Sequence, residues 1–425
     1  LSTDYFIPVL HSPLSPPVRS PRLILSMKRF IYVCLAVTVT LALALSLATS
    51  RAEETLIPLE QVNMASEAGD DDFVDLLGFD DQLWGEAVGE TGDRAALQTA
   101  IAYSLNYLQT SEAAADYANY DAIPAFTRDR VYRTLARFQQ LLADSTSAAE
   151  LQASVRQAFD LYRSIGVDGQ GTVQFTGYFE PIYAASRTPT AEFRYPLYAL
   201  PPDLNRWTQP HPTRRQLEGS HGQPALRLLQ GLELVWLRDR LEAYLVQVQG
   251  SAQLQLTDGT IMSVGYAGRT DYPYVSVGRE LVNDGKIAEA ELSLPAVIDY
   301  FRQHPAEVDH YILRNNRFIF FRETTGSPAI GSLGVPVTPE RSIATDKSLM
   351  PPGALALIQT QIPYSEPNGT LTPRLVSRYV LDQDTGGAIR GPGRVDIFMG
   401  SGEQAGDRAG LINGPGQLYY LLLKR

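Results

Sequence analysis

Two aspartates stand in one glycine-rich stretch, "QDTGGAIRGPGRVDIFMGSG", residues 383–402: Asp384 and Asp396, twelve positions apart, with an arginine-bearing turn between them. A carboxyl group does general acid–base work when its surroundings raise its pKa toward the working pH. Glycines let a backbone approach a ligand closely. Asp396 leads directly into Ile397 and Phe398, so it sits at a low-dielectric wall that would disfavour its charged form, and a neighbouring Asp384 would add like-charge repulsion. The competing reading is turn formation, because Asp beside Gly often caps backbone groups. On these residues alone both readings stand. Asp384-Thr385-Gly386 also matches the aspartic-protease tripeptide. That chemistry needs two carboxyls sharing a proton, and no second such tripeptide accompanies it.

A second stretch, "VQVQGSAQLQL" (residues 246–256), alternates Gln247, Gln249, Ser251 and Gln253 with apolar residues. The period of two predicts one strand whose polar face carries amides. Uncharged donors and acceptors there suit a neutral, hydroxyl-rich ligand, and Tyr178, Phe179, Trp236, Tyr266 and Tyr274 are candidates for stacking on sugar rings. These cues point to a carbohydrate enzyme or a carbohydrate-binding module.

The elements that must position these residues follow from the rest of the chain. It has 425 residues, 44% hydrophobic and 20% charged, an ordinary globular composition with length for two or more domains. Residues 1–26 read as a non-native extension ahead of Met27. Residues 27–52 ("MKRF", an apolar run, then "ATSRA") read as a signal peptide, which places the protein outside the cytoplasm, in the periplasm or cell envelope. The one cysteine, Cys34, lies in that segment, so a mature chain has no thiol chemistry and no cysteine-based zinc site. Removing 1–52, with five basic residues and one acidic, takes the net charge from −11 to −15 and argues against nucleic acid as a partner. No HExxH-type metal spacing occurs among the five histidines.

Residues 53–92 read as an acidic linker. Three apolar stripes then predict helices: Leu97, Ile101, Leu105 and Leu108; Val131, Leu135, Phe138 and Leu142; and Leu151, Val155, Phe159 and Tyr162, the last opened by the capping-box pattern Ser147–Glu150. After Gly166 the texture turns to short alternating runs and tight turns, broken by one helical interval at about 286–303 and a short helix at 403–411. The fold class is α+β, mainly β, with two barrel-like units behind an N-terminal helical segment.

Taken together, "TGYFEPIY", "RYPLYALPPDL", "VQVQGSAQLQLTDGT", "VGYAGRTDYPYVSVGREL", "LGVPVTPERSIATDKSLMPPGA" and "QDTGGAIRGPGRVDIFMGSGEQAG" resemble the membrane-bound A family of lytic murein transglycosylases, from about Thr176 to the C-terminus. The resemblance implies a C-terminal double-psi β-barrel with three aspartates, here Asp346, Asp384 and Asp396, over 326–425. It also implies an inserted second β-barrel over 181–325, a helical segment leading into the barrel over 93–180, and a sugar groove between the barrels. The chain departs from the family at Arg269-Thr270-Asp271, where "TNG" is usual, at Asn315-Asn316-Arg317, and in lacking a lipid-anchor cysteine at the expected place.

By position the resemblance puts the catalytic acid/base on Asp396 and a supporting role on Asp384. Thr176, Gly177, Tyr178, Gln249, Gly250 and Ser251 would bind and orient the glycan. The implied reaction is exolytic, non-hydrolytic cleavage of the β-1,4 bond between N-acetylmuramic acid and N-acetylglucosamine in peptidoglycan, giving 1,6-anhydromuramyl ends. It needs no cofactor and no metal. The expected partner is the peptidoglycan glycan strand, and the expected state is a monomer associated with the envelope.

Overall fold

In the computed structural model, residues 57–62, 76–85, 91–219, 227–324 and 328–425 are described. The segment read as a signal peptide lies outside them. Fourteen strands occur among the described residues: β1 (Leu59–Val62), β2 (Phe159–Ser164), β3 (Val173–Glu180), β4 (Ile182–Ser186), β5 (Tyr195–Tyr198), β6 (Glu233–Leu237), β7 (Ser251–Leu256), β8 (Ile261–Arg269), β9 (Ile319–Thr324), β10 (Ser342–Ala344), β11 (Leu355–Ser365), β12 (Leu371–Asp384), β13 (Arg394–Ser401) and β14 (Asn413–Leu423).

Six of them, in the order β3, β13, β10, β12, β11, β14, close into a ring because β14 pairs back with β3. The β10–β12 and β13–β3 pairings are parallel and the others antiparallel. β2 and then β1 extend the sheet outward from β14. The second sheet runs β5-β6-β4-β7-β8-β9, and a parallel bridge between Ala199 and Phe321 joins its two ends. A six-stranded barrel, a second sheet in the insert and an N-terminal helical region are therefore present, as expected.

The helical region comprises α1 (Arg94–Leu108), α2 (Ser111–Asn119), α3 (Arg128–Asp144) and α4 (Ala148–Ala158). The apolar stripes of α1 and α3 face inward: Leu97, Ile101, Leu135, Phe138 and Leu142 are fully buried. α1 packs on β12 and α3 on β14, so Phe138 meets Tyr379 of β12 with ring centroids 4.9 Å apart. The third stripe ends early. Phe159 turns to extended backbone, and Phe159 and Tyr162 belong to β2. Ser147 accepts the Glu150 amide as a capping box requires, but the Glu150 carboxylate reaches back to Thr146 rather than Ser147. α2 has no counterpart in the sequence reading. It buries only Ala113 and shows no stripe, although Thr110 caps it.

The acidic stretch is more than a connector. β1 pairs with β2, and Asp80 is wholly buried. Its carboxylate meets Arg341 at 2.5 Å and Arg378 at 3.3 Å, while Arg341 also reaches Asp93 at 2.6 Å. A net-acidic sequence reads as solvated unless its cationic partners, some 260–300 positions away, are known.

The insert adds α5 (Arg214–Glu218), α6 (Arg240–Gln249), α7 (Val277–Asn283), α8 (Leu294–Gln303) and α9 (Val308–Ile312), and α10 (Glu403–Ala409) follows β13. Of the helical interval expected at 286–303, the α-helix is α8, from Leu294 onward, preceded by a 3-10 turn at Glu289–Glu291; a further helix, α7, ends ahead of the interval at Asn283. The strand expected over 246–256 is also corrected. Gln247 and Gln249 lie on α6, and only Ser251 onward is strand. Four alternating residues fit a helix as well as a strand. The flanking signals decide: Asp239 accepts the Leu241 and Glu242 amides at the N-terminus, and Gly250 (φ 84°) closes the C-terminus in the left-handed region.

Candidate active site

A groove of about 760 Å³ runs between the two barrels. Thr176, Gly177, Tyr178 and Asp396 line it from the six-stranded barrel, with the loop Gly386–Arg390. Gln247, Gln249, Tyr244, Tyr274 and Arg317 line it from the insert. Among the described residues that line it, Asp396 is the one carboxylate.

Barrel register brings the two aspartates of the opening motif together. Ala344 of β10 is opposite Asp384 on one side and Asp396 on the other. Asp396 is in turn opposite Thr176, and Thr176 opposite Asn413. One row across five strands therefore reads Asp384, Ala344, Asp396, Thr176, Asn413. With strands about 4.8 Å apart, the two aspartate backbones stand two strand spacings apart rather than side by side.

Within that row the carboxylates have different surroundings. Asp396 Oδ1 accepts the Thr176 hydroxyl at 2.9 Å. Its Oδ2 accepts nothing from the described residues. Burial against the barrel pushes its pKa up to about 6, partly opposed by the Thr176 hydrogen bond and by Arg394; Asp384 adds the smallest contribution. The side chain is only partly accessible by area, which fits a group packed against protein and open on the groove. Like-charge repulsion has the expected sign, but burial is the main cause.

Asp384 is saturated with donors. Tyr178 Oη donates to Oδ2 at 2.8 Å, and the amides of Ser332 and Thr385 donate to Oδ1 at 2.8 Å each. Burial raises its pKa against these bonds and against the charge of Lys347. Lys347 also donates to the backbone carbonyl of Asp384 and to Asp382. Asp384 thus ties the Tyr178 ring, itself packed on Phe398 at 5.2 Å, to the 330–332 turn. Asp346 faces the other end of the Gly-rich loop and accepts Gly391 N at 2.9 Å and Ser348 Oγ at 2.7 Å. Burial works to raise its pKa, but these bonds and Arg390 bring it below the usual carboxylate range.

The other expected site residues divide. Gln249 Oε1 accepts the backbone N–H of Phe179 at 3.2 Å, leaving its amide nitrogen for the groove. Gly177 permits β3 to lie on α10, since a Cβ there would strike the Ala409 backbone. Gly250 and Ser251 fall outside the groove's lining residues. Of the five candidate stacking aromatics, Tyr178 and Tyr274 line the groove, whereas Phe179 packs on Gly406, Trp236 sits on β6 outside the groove's lining residues and Tyr266 is exposed elsewhere.

Sequence reasoning missed the residues that fix the insert's wall. Arg214, fully buried, donates to Gln247 Oε1 at 3.0 Å, to the carbonyls of Asn315 and Arg317, and to Glu218. Glu218 also accepts Arg240 at 2.6 Å. The one local signal was an arginine standing between Asn316 and the apolar run 318–321.

Gln249 offers a clean test of its groove-facing amide. Gln249→Glu keeps an acceptor for Phe179 N–H but removes the donor. Glycan binding should weaken by about 1–3 kcal/mol, the range for a buried group left unpaired, with the melting temperature little changed. Unaltered affinity by calorimetry would show that the amide does not touch the ligand.

Comparison with known proteins bears on this geometry. Residues 174–322 match the MltA specific insert domain and residues 341–422 the 3D domain. The chain is 31% identical over 264 residues to membrane-bound lytic murein transglycosylase A of Escherichia coli K12, covering 62% of this chain and 69% of that protein. It superposes on the membrane-bound lytic murein transglycosylase of Agrobacterium tumefaciens with a TM-score of 0.65 at 26% identity, over 86% of this chain and 98% of that one. It superposes on E. coli MltA with bound chitohexaose with a TM-score of 0.61 at 28% identity, over 76% and 89%. With the insert and the three-aspartate barrel both in place around the groove, the chain belongs to the membrane-bound lytic murein transglycosylase A family.

Proposed function

We propose that this protein is a peptidoglycan lytic transglycosylase that cleaves the β-1,4 bond between N-acetylmuramic acid and N-acetylglucosamine without water. The observation that carries this reading is that Asp396 is the single carboxylate on the groove among the described residues. Ordinary glycosidases flank the scissile bond with two, one to protonate the leaving group and one to attack or to activate water. Asp384 does not line the groove, and its oxygens are occupied. A reaction that needs one protein acid must find its nucleophile in the substrate.

The C6 hydroxyl of N-acetylmuramic acid is placed to serve. Protonated Asp396 gives its proton from Oδ2 to the leaving O4 as the C1–O4 bond breaks and C1 gains oxocarbenium character. The carboxylate so formed accepts the proton of the C6 hydroxyl while O6 bonds to C1. The products are a 1,6-anhydro end and a free O4–H, with no water consumed. Intramolecular attack depends on geometry, which Thr176 and Tyr178 supply on one side and Gln249 with the rest of the insert wall on the other. The whole site comes from one chain, in keeping with a monomer. Relatives are named as membrane-bound, which supports action at the cell envelope, where its glycan substrate lies.

Digestion of purified sacculi in heavy-oxygen water, followed by mass spectrometry, tests this. Anhydro-muropeptides free of solvent oxygen are expected. Labelled reducing ends would mean a conventional hydrolase, and no product a binding module. Release of short products before the sacculi thin would support the exolytic mode. With the free-enzyme acid near 6, kcat/KM should be flat below that pH and fall about tenfold per unit above it.

A further inference from the structure

The Arg317 guanidinium has no carboxylate partner among the described residues. The residue is 8% exposed, and the one hydrogen bond of its side chain there runs from Nε to the Tyr272 carbonyl at 2.9 Å. Both terminal nitrogens lack an acceptor among the described residues, although the side chain lines the groove. The barrel's loop makes room for it: a Cβ at Gly387 would collide with Nη1. Burial opposes its charge, and so do Arg269 and Arg390 nearby. Arg394 on the same groove forms no ion pair among the described residues, and Arg390 only a 3.6 Å approach to Asp346, whose oxygens are already engaged. A protein of net charge −11 thus gathers three guanidinium groups at one place, of which Arg317 and Arg394 form no ion pair among the described residues and Arg390 only the long one to Asp346. Leaving a buried cation uncompensated is costly, and the Arg214 network holds the 315–317 backbone so that the cost cannot be relieved by moving away.

We infer that Arg317, with Arg390 beside it, binds a carboxylate carried by the N-acetylmuramic acid residue of the strand. This rests on the reading of the groove as a peptidoglycan site. A guanidinium fork suits a planar carboxylate. N-acetylglucosamine has none, so the arginines distinguish the two sugars and set the strand's register over Asp396. Two sources share the chemistry: the lactyl carboxylate of a peptide-free residue, and the free carboxylates of a peptide stem.

The test uses the full chain carrying Asp396→Asn, so that ligands are bound and not cut. Three hexasaccharides are titrated by calorimetry: chitohexaose, a peptide-free strand of alternating N-acetylglucosamine and N-acetylmuramic acid, and the same strand bearing stems. Carboxylate-bearing strands should bind roughly tenfold to hundredfold more tightly than chitohexaose, as for hydrogen bonds to a charged group. Preference for the peptide-free strand alone assigns the lactyl carboxylate, preference for the stem-bearing one alone assigns the stem, and preference for both shows that the arginines accept either carboxylate. Adding Arg317→Gln should collapse that ratio toward one, and Arg317→Lys should keep part of it. If Arg317→Gln does not fold, Arg390→Gln, on an exposed side chain, should still lower the ratio. Equal affinity for all three ligands overturns the inference, as does a ratio that neither substitution moves. Failure of the underlying reading looks different: the unsubstituted protein would release no anhydro product from sacculi.

Discussion

Asp396→Asn should abolish anhydro-product formation while leaving the fold and glycan binding in place. The amide preserves the side chain's size and can still meet the Thr176 hydroxyl, but it cannot deliver a proton to O4 or take one from O6. General acid–base catalysis contributes about 10²–10⁴-fold, and in the proposed mechanism one residue performs both transfers, so a loss at the upper end is expected. Asp384→Asn should cost less. The substitution disturbs the Tyr178 and Ser332 contacts and removes a nearby negative charge. The limb of the pH–rate profile that reports Asp396 should move slightly to lower pH, slightly because Asp384 is the smallest of the causes acting on that group. Rates of anhydro-muropeptide release across pH, for both variants, check this. Near-full activity of Asp396→Asn with loss in Asp384→Asn would reverse the roles.

The largest effect on stability should come from Arg341→Met. Arg341 is fully buried and bridges Asp80 and Asp93; burial works against its charge, and the two carboxylates more than offset that. It also donates to the Tyr379 carbonyl at 2.9 Å. Removing it leaves Asp80 in the interior with Arg378 at 3.3 Å as its one remaining cation and the Tyr379 N–H at 3.0 Å as a neutral donor. Breaking one side of a buried ion pair costs about 3–5 kcal/mol. Chemical denaturation should show the midpoint falling at constant slope. A change below about 1 kcal/mol would mean that water reaches Asp80 and solvates it. Since Arg341 directly precedes β10, activity should soften as well, through Ala344 in the aspartate row.

How far the sequence discloses this protein depends on how local each signal is. Phe138 and Leu142 announce their helix because a 3.6-residue period is complete within a few turns. Gln247 and Gln249 mislead because four alternating residues carry too little periodicity to outweigh the caps at Asp239 and Gly250. Asp80 reads as a solvated linker residue because its partners, Arg341 and Arg378, are remote in the chain. The Asp396–Thr176 hydrogen bond spans 220 positions and has no local signature at all; the family resemblance gave the two residues separate roles and not this contact. Arg317 was noticed as a departure from the family pattern, but its burial and its empty terminal nitrogens are properties of the assembled groove.

The row that carries Asp396 has a bearing on the hazard such a protein would pose to the cell that makes it. Its members come from β12, β10, β13, β3 and β14, and β13 and β14 follow the other three along the chain, beginning at Arg394 and Asn413. A nascent chain halted before them has neither the acid nor the ring closure that holds Thr176 against it. The insert, by contrast, is complete by Thr324 and can offer its wall early. On the proposed mechanism, wall-cutting capacity is therefore withheld until β13 and β14 have been made and the ring has closed.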